Sequence, residues 1–297
     1  MAIRPQTSPA QETPRKRAAV PGAYLYLHIG LPKTGTTSLQ GWLHANERTL
    51  NRNNLTYPQF PARYNDHTQA KQQGLVTGLI KGRLGRLRSL LNDHRDVIMS
   101  SEGLTNHLYD FPSSSLERFR HLTQERTVVA ILVTRPPEAF ARSIYNQRVL
   151  TGPNERFGYA TAQTFEEFRT DAVLNRLMDY QKVIKDAKAA FGADRLVTVE
   201  LIRDWHKHVL RAIGLKEEDI PAEIPRLNAS PNADVIERVR QINSLQLSND
   251  DRRTALSIVV NRFGGDSSAL LAKRHTPSTD VETRIVGRLR SELGWNI

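Results

Sequence analysis

Leu25 and Leu27 alternate with Tyr24, Tyr26 and Ile29, an uncharged apolar run that predicts a buried strand. A turn-rich stretch, Gly30 to Thr37, separates it from Leu39, Trp42 and Leu43, whose spacing predicts a helix. Asn65 to Leu91 is predicted to be largely helical, Asp96 to Ser100 a short strand, and Ser114 to Gln124 a helix. Thr127 to Val133 is β-branched and apolar throughout, which suits a strand buried on both faces. The helix predicted next, Pro136 to about Leu150, opens on two prolines, where a missing N–H costs little. A polar loop, Thr151 to Gln163, leads to Phe165–Phe191, where Leu174, Leu177, Met178, Val183 and Ile184 predict one or two helices ending at Gly192. Leu196 to Glu200 is a further predicted strand, feeding a helix over 203–213. The C-terminal third is predicted helical. Val235, Ile236, Val239 and Ile242 form one stripe; Leu256, Val259, Val260 and Phe263 form another, capped by Gly264 and Gly265. Strands alternating with helices predict the α/β class: a P-loop-like three-layer fold with a mostly parallel central sheet and a mainly helical part from about residue 232. No internal repeat is visible.

Composition narrows this. A chain of 297 residues, 39% of them hydrophobic, can bury one full core, so residues 23–297 are expected to form a single domain. Residues 1–22 hold Arg4, Arg15, Lys16 and Arg17 against Glu12, with four prolines, and are expected to be a disordered basic tail. The expectation is a soluble, cytoplasmic, bacterial-type protein. No apolar run is long enough for a transmembrane helix, and no apolar h-region marks a secretory signal. The absence of cysteine excludes disulfides and thiolate metal sites. The net charge of +11 suits a substrate with several negative charges. Nucleic acid is not the expected partner, because Lys81, Arg83, Arg86 and Arg88 lack interleaved aromatics or a helix-turn-helix pattern. They read as a solvated helix face or a docking surface for an acidic acceptor.

Candidate chemistry centres on the first strand–turn–helix. A glycine-containing loop with Lys33 and the hydroxyls of Thr34, Thr36 and Thr37, running into a helix N-terminus, makes a cradle for phosphate or sulfate. Gly30 and Gly35 have the spacing of a nucleoside-triphosphate loop. The lysine that should follow the second glycine is replaced by Thr36, however, and the only lysine lies earlier, at Lys33. Thr37 remains a candidate magnesium-binding hydroxyl.

Pro32-Lys33-Thr34-Gly35-Thr36-Thr37 closely resembles the 5′-phosphosulfate loop of sulfotransferases that use 3′-phosphoadenosine 5′-phosphosulfate (PAPS). A second segment resembles their 3′-phosphate site: Arg135 leaving a strand, Pro136 beside it, and Ser143 eight residues on. The resemblance implies that Thr34, Gly35, Thr36 and Thr37 hold the 5′-phosphate and that Lys33 meets the bridging oxygen. It assigns the 3′-phosphate to Arg135 and Ser143, with PAP, the bisphosphate, as product and no metal required. The proton acceptor in the small-molecule enzymes is a His just after a central strand. Here Glu102 occupies the comparable place, similar to the glycan and protein sulfotransferases that use a Glu, and His107 is the alternative. The implied acceptor is a carbohydrate or glycolipid hydroxyl or amine, with a lipid-linked sugar or small molecule also compatible.

The sequence departs from that family in three places. Ser38 stands where a base-stacking Trp often follows the Thr-Thr pair, and Val199-Glu200 replaces Tyr-Glu. Lys273-Arg274-His275 matches the C-terminal Arg-Lys-Gly loop only weakly. How adenine is held therefore stays open. A nucleotide kinase or other NTPase, or a non-catalytic binding protein on the same fold, are the competing readings. His206 and His208, two residues apart, do not share a helix face and do not predict a metal pair. Asn228-Ala229-Ser230-Pro231 reads as a helix-entry loop, and Arg156 and Tyr159 as a mobile edge of the acceptor pocket.

Overall fold

The computed structural model describes residues 22–60, 72–154, 158–225, 232–263 and 278–297. The basic tail up to residue 21, Arg156, the 228–231 turn, Gly264, Gly265 and the 273–275 cluster lie outside the described residues. Five strands, β1 Tyr24–His28, β2 Leu55–Thr56, β3 Asp96–Ser100, β4 Thr127–Thr134 and β5 Arg195–Glu200, form one parallel sheet in the order β2-β3-β1-β4-β5. The helices are α1 Thr36–Ala45, α2 Glu47–Arg52, α3 Gln73–Ile80, α4 Gly85–Leu91, α5 Gly103–Asn106, α6 Ser113–Thr123 and α7 Pro137–Leu150. They continue with α8 Phe165–Phe168, α9 Ala172–Met178, α10 Tyr180–Phe191, α11 Trp205–Ala212, α12 Ala233–Ser244, α13 Asn249–Phe263 and α14 Thr279–Leu293.

Side-chain alternation on the strands divides the core into two layers. Leu25, Leu27, Val97, Met99, Val128, Ala130 and Leu132 pack on one face, with α3, α4, α6, α7, α10 and the C-terminal helices α12 to α14. Tyr26, Ile98, Val129, Ile131, Val133 and Val199 pack on the other, with Leu39 and Leu43 of α1, Leu50 of α2, and Val209 and Leu210 of α11. Helices on both faces of a parallel sheet are the physical reason β4 reads as a continuous apolar run.

Local signals explain where the helices differ from expectation. The segment before β3 is largely helical over its described residues, as expected, and the chain breaks between α3 and α4. Gly82 takes a left-handed φ of 64°, and the Arg83 N–H returns to the Gly78 carbonyl at 2.7 Å. The 165–191 segment is three helices, not one or two, because it carries three N-caps. Thr164 forms a capping box with Glu167, Asp171 accepts from the Leu174 N–H, and Asp179 accepts from the Lys182 N–H. Gly192, left-handed at φ 60°, ends α10 as expected. The edge strand β2 has only two residues, too short to show a period.

Chain order places the sheet's reversal at β1. The strand lies between β3 and β4: β1 connects to β2 on one side of it, and the chain then crosses from β3 to β4 on the other. The carboxyl ends of strands at such a point flank a crevice where ligands bind in open α/β sheets.

Candidate anion site at the carboxyl edge of the sheet

Lys33 to Thr37 form the mouth of α1. Two residues in this short turn are left-handed, Lys33 at φ 64° and Gly35 at φ 79°. The lysine pays for that geometry, since only glycine adopts it without a steric penalty. Gly35 is the N-cap of α1, no side chain caps the helix, and its first turn holds no acidic residue. The first N–H groups of a helix have no carbonyl partner within it, so they and the positive end of the helix dipole face the loop. Neither glycine tolerates a Cβ. At Gly30 it would lie 2.5 Å from the Thr36 methyl and 3.0 Å from His28 Nε2; at Gly35 it would lie 2.6 Å from Trp205 Cζ2.

The hydroxyls of the loop divide by direction. Thr34 Oγ1 donates to the Leu31 carbonyl at 2.6 Å and is fully buried, which ties the turn to itself. Thr36 Oγ1 donates to the carboxylate of Glu102, and Thr37 is half-buried. The hydroxyls of Thr34 and Thr36 are therefore already engaged within the protein.

Glu102 reaches the loop because β1 and β3 are parallel neighbours. The Ser101 N–H bonds the His28 carbonyl at 3.1 Å, and Glu102 then opens α5. His107 sits at the far end of α5 and pairs through Nδ1 with Asp110 at 3.0 Å. Of the two alternatives for the base, Glu102 touches the loop.

Arg135 arrives from the other side of β1, at the end of β4. Its Nη1 approaches the Lys33 carbonyl at 3.5 Å, and its own carbonyl accepts from the Tyr180 hydroxyl at 2.6 Å. Lys33, Glu102 and Arg135 are thus gathered around one helix mouth from three strand ends. Ser143 is buried two turns along α7 and makes no hydrogen bond to these residues among the described ones.

Below the loop lies a polar cluster that the sequence reading did not find. His28 Nδ1 and Ser100 Oγ are 2.7 Å apart, and Gln40 Nε2 donates to both the hydroxyl and the carbonyl of Ser100. Gln72 accepts from the Ser100 N–H at 2.7 Å and donates to the Pro58 carbonyl at the same distance. Burial pushes the His28 imidazole down to about 4, so it is neutral at physiological pH, and burial also raises the Tyr57 phenol beside Ser100. A lone histidine in an apolar strand was the only available signal. Trp205 was also missed, since nothing before the fold links residue 205 to residue 35.

No family model and no curated protein matches the chain. The function must be read from the site.

Two other features stand apart. His206 is buried and close to the Pro221 carbonyl, while His208 is exposed, so the two occupy different faces of α11. A cavity of about 300 Å³ beside α7, between Arg142, Asn146, Phe165 and Glu237, is lined by none of the loop residues. No described helix is long and apolar enough to cross a membrane.

Proposed function

We propose that the chain is a sulfotransferase, moving the sulfuryl group of PAPS to a hydroxyl or amine of an acceptor, with a carbohydrate or glycolipid as the acceptor class. The observation that carries this reading is the Thr36–Glu102 contact, which sets a carboxylate at the mouth of an anion cradle flanked by Lys33 and Arg135. An NTPase of this kind needs a lysine directly after Gly35, where this chain has Thr36. For sulfuryl transfer the carboxylate has a task. Glu102 takes the proton of the acceptor hydroxyl as its oxygen bonds to sulfur, and the bond from sulfur to the bridging phosphate oxygen breaks. Negative charge grows on that oxygen, where Lys33 neutralises it while the N-terminus of α1 holds the 5′-phosphate. Arg135 offers a forked cation for the 3′-phosphate.

Calorimetric titration with adenosine 3′,5′-bisphosphate, against ATP with magnesium, tests the donor site. The bisphosphate is expected to bind without magnesium, and Lys33→Ala and Arg135→Ala to weaken it by about 2 kcal/mol each. Glu102→Gln is expected to keep that affinity within about threefold while transfer from PAPS to a glycan acceptor falls ~100-fold or more. Binding of ATP with magnesium alone would favour the kinase reading. Full transfer activity in Glu102→Gln would remove the carboxylate from the mechanism.

A further inference from the structure

We propose that His28 is a positioning residue of the anion site, whose Nε2 takes its hydrogen bond only when the loop above it holds an anion. The inference rests on reading that loop as the donor-phosphate site. Three observations carry it. His28 is 1% exposed, and its Nε2 has no hydrogen-bond partner among the described residues. Buried polar atoms are almost always paired, so this nitrogen calls for a partner that the described residues do not supply. The nitrogen is aimed at the loop: it lies 3.0 Å from the point where a Gly30 Cβ would sit, a point the Thr36 methyl approaches at 2.5 Å from the helix side. Gly30 opens the loop and Thr36 begins α1, so Nε2 faces the junction on which the cradle turns.

The imidazole is also held rigidly enough for this task. Nδ1 is fixed on Ser100 Oγ, and Ser100 is in turn gripped by Gln40 from α1 and Gln72 from the entry to α3. Gln40 lies one turn after Thr36 on α1, so the cluster bolts the first turns of that helix to the ends of β1 and β3. Its Oε1 is a second buried atom without a partner among the described residues. A neutral imidazole suits the position. It contributes a directed hydrogen bond without adding a buried charge that would have to be paired when the loop is empty.

The wild-type protein can report on this directly. With ¹⁵N-labelled histidine, the imidazole that stays neutral near pH 5 is followed during titration with adenosine 3′,5′-bisphosphate. Its Nε2 resonance is expected to shift as the ligand saturates, while Nδ1, anchored on Ser100, stays in place. Bisphosphate binding with an unmoved Nε2 overturns the proposal and leaves the donor-site reading standing. No bisphosphate binding at all overturns both. Two variants separate the nitrogens: an asparagine amide reaches the Nδ1 position, and a glutamine amide the Nε2 position. His28→Asn is expected to bind the bisphosphate about tenfold more weakly, and His28→Gln within about threefold of wild type. Equal affinities for the two, or a weaker His28→Gln, would sink the idea.

Discussion

Single residues at this site are defined by what they are denied as much as by what they touch. His28 is denied water, and desolvation alone brings its imidazole from 6.5 to about 4. In the unfolded chain the same group protonates near 6.5, so between the two values the unfolded state binds the extra proton. Stability owed to this residue is therefore unaffected above about pH 6.5, falls as pH drops, and reaches its full penalty below about 4. Urea unfolding near pH 7 and near pH 4.5 is expected to show wild type losing roughly 2 kcal/mol more than His28→Gln, which cannot titrate. Equal losses would mean that water reaches the imidazole in the folded protein. Lys33 is denied a relaxed backbone: its left-handed φ of 64° costs about 1–2 kcal/mol, a strain found where a loop must present a side chain and its neighbours' N–H groups together.

At the scale of elements, the entry to α1 depends on another element packing against it. Gly35 must be glycine for its φ of 79°, but also because the Trp205 indole of α11 lies against it. Gly35→Ala is expected to lower stability by about 2–3 kcal/mol, from the left-handed conformation and the displaced indole together. A double-mutant cycle with Trp205→Leu isolates the second part, with an expected coupling of about 1 kcal/mol. Strict additivity would show that the indole moves aside freely. The caps at Thr164, Asp171 and Asp179 make the same point about sequence legibility. Each is visible as a residue type followed by a helical stripe, yet apolar periodicity alone merged the three helices, because short helices share one buried face.

For the whole molecule, the two edges of the sheet divide the work. The carboxyl edge holds the candidate anion site; the amino edge is closed by a buried arginine. Arg126 is 6% exposed and donates to the carbonyls of Tyr24, Leu91, Asp93 and Arg95, which joins the start of β1, the end of α4 and the approach to β3. Arg126→Met would leave those carbonyls without a donor and is expected to cost about 3 kcal/mol or more in urea unfolding. Bisphosphate affinity should be unchanged, since the site lies at the opposite edge. A loss of affinity that matches the loss of stability would show that the two edges are coupled. What the sequence determined by itself was local: strands from β-branched apolar runs, helices from their stripes, and the turn between β1 and α1 from Gly30, Lys33, Gly35 and the threonines between and beside them, a candidate anion loop. Such signals arise from neighbours in the chain, where spacing fixes geometry. Only the tertiary structure decided that Thr36 meets Glu102, that Arg135 reaches Lys33 and that His28 sits beneath Gly30. Those pairs come from parallel strands separated by long crossovers, and their register follows from how both faces of the sheet are buried, which no single segment encodes.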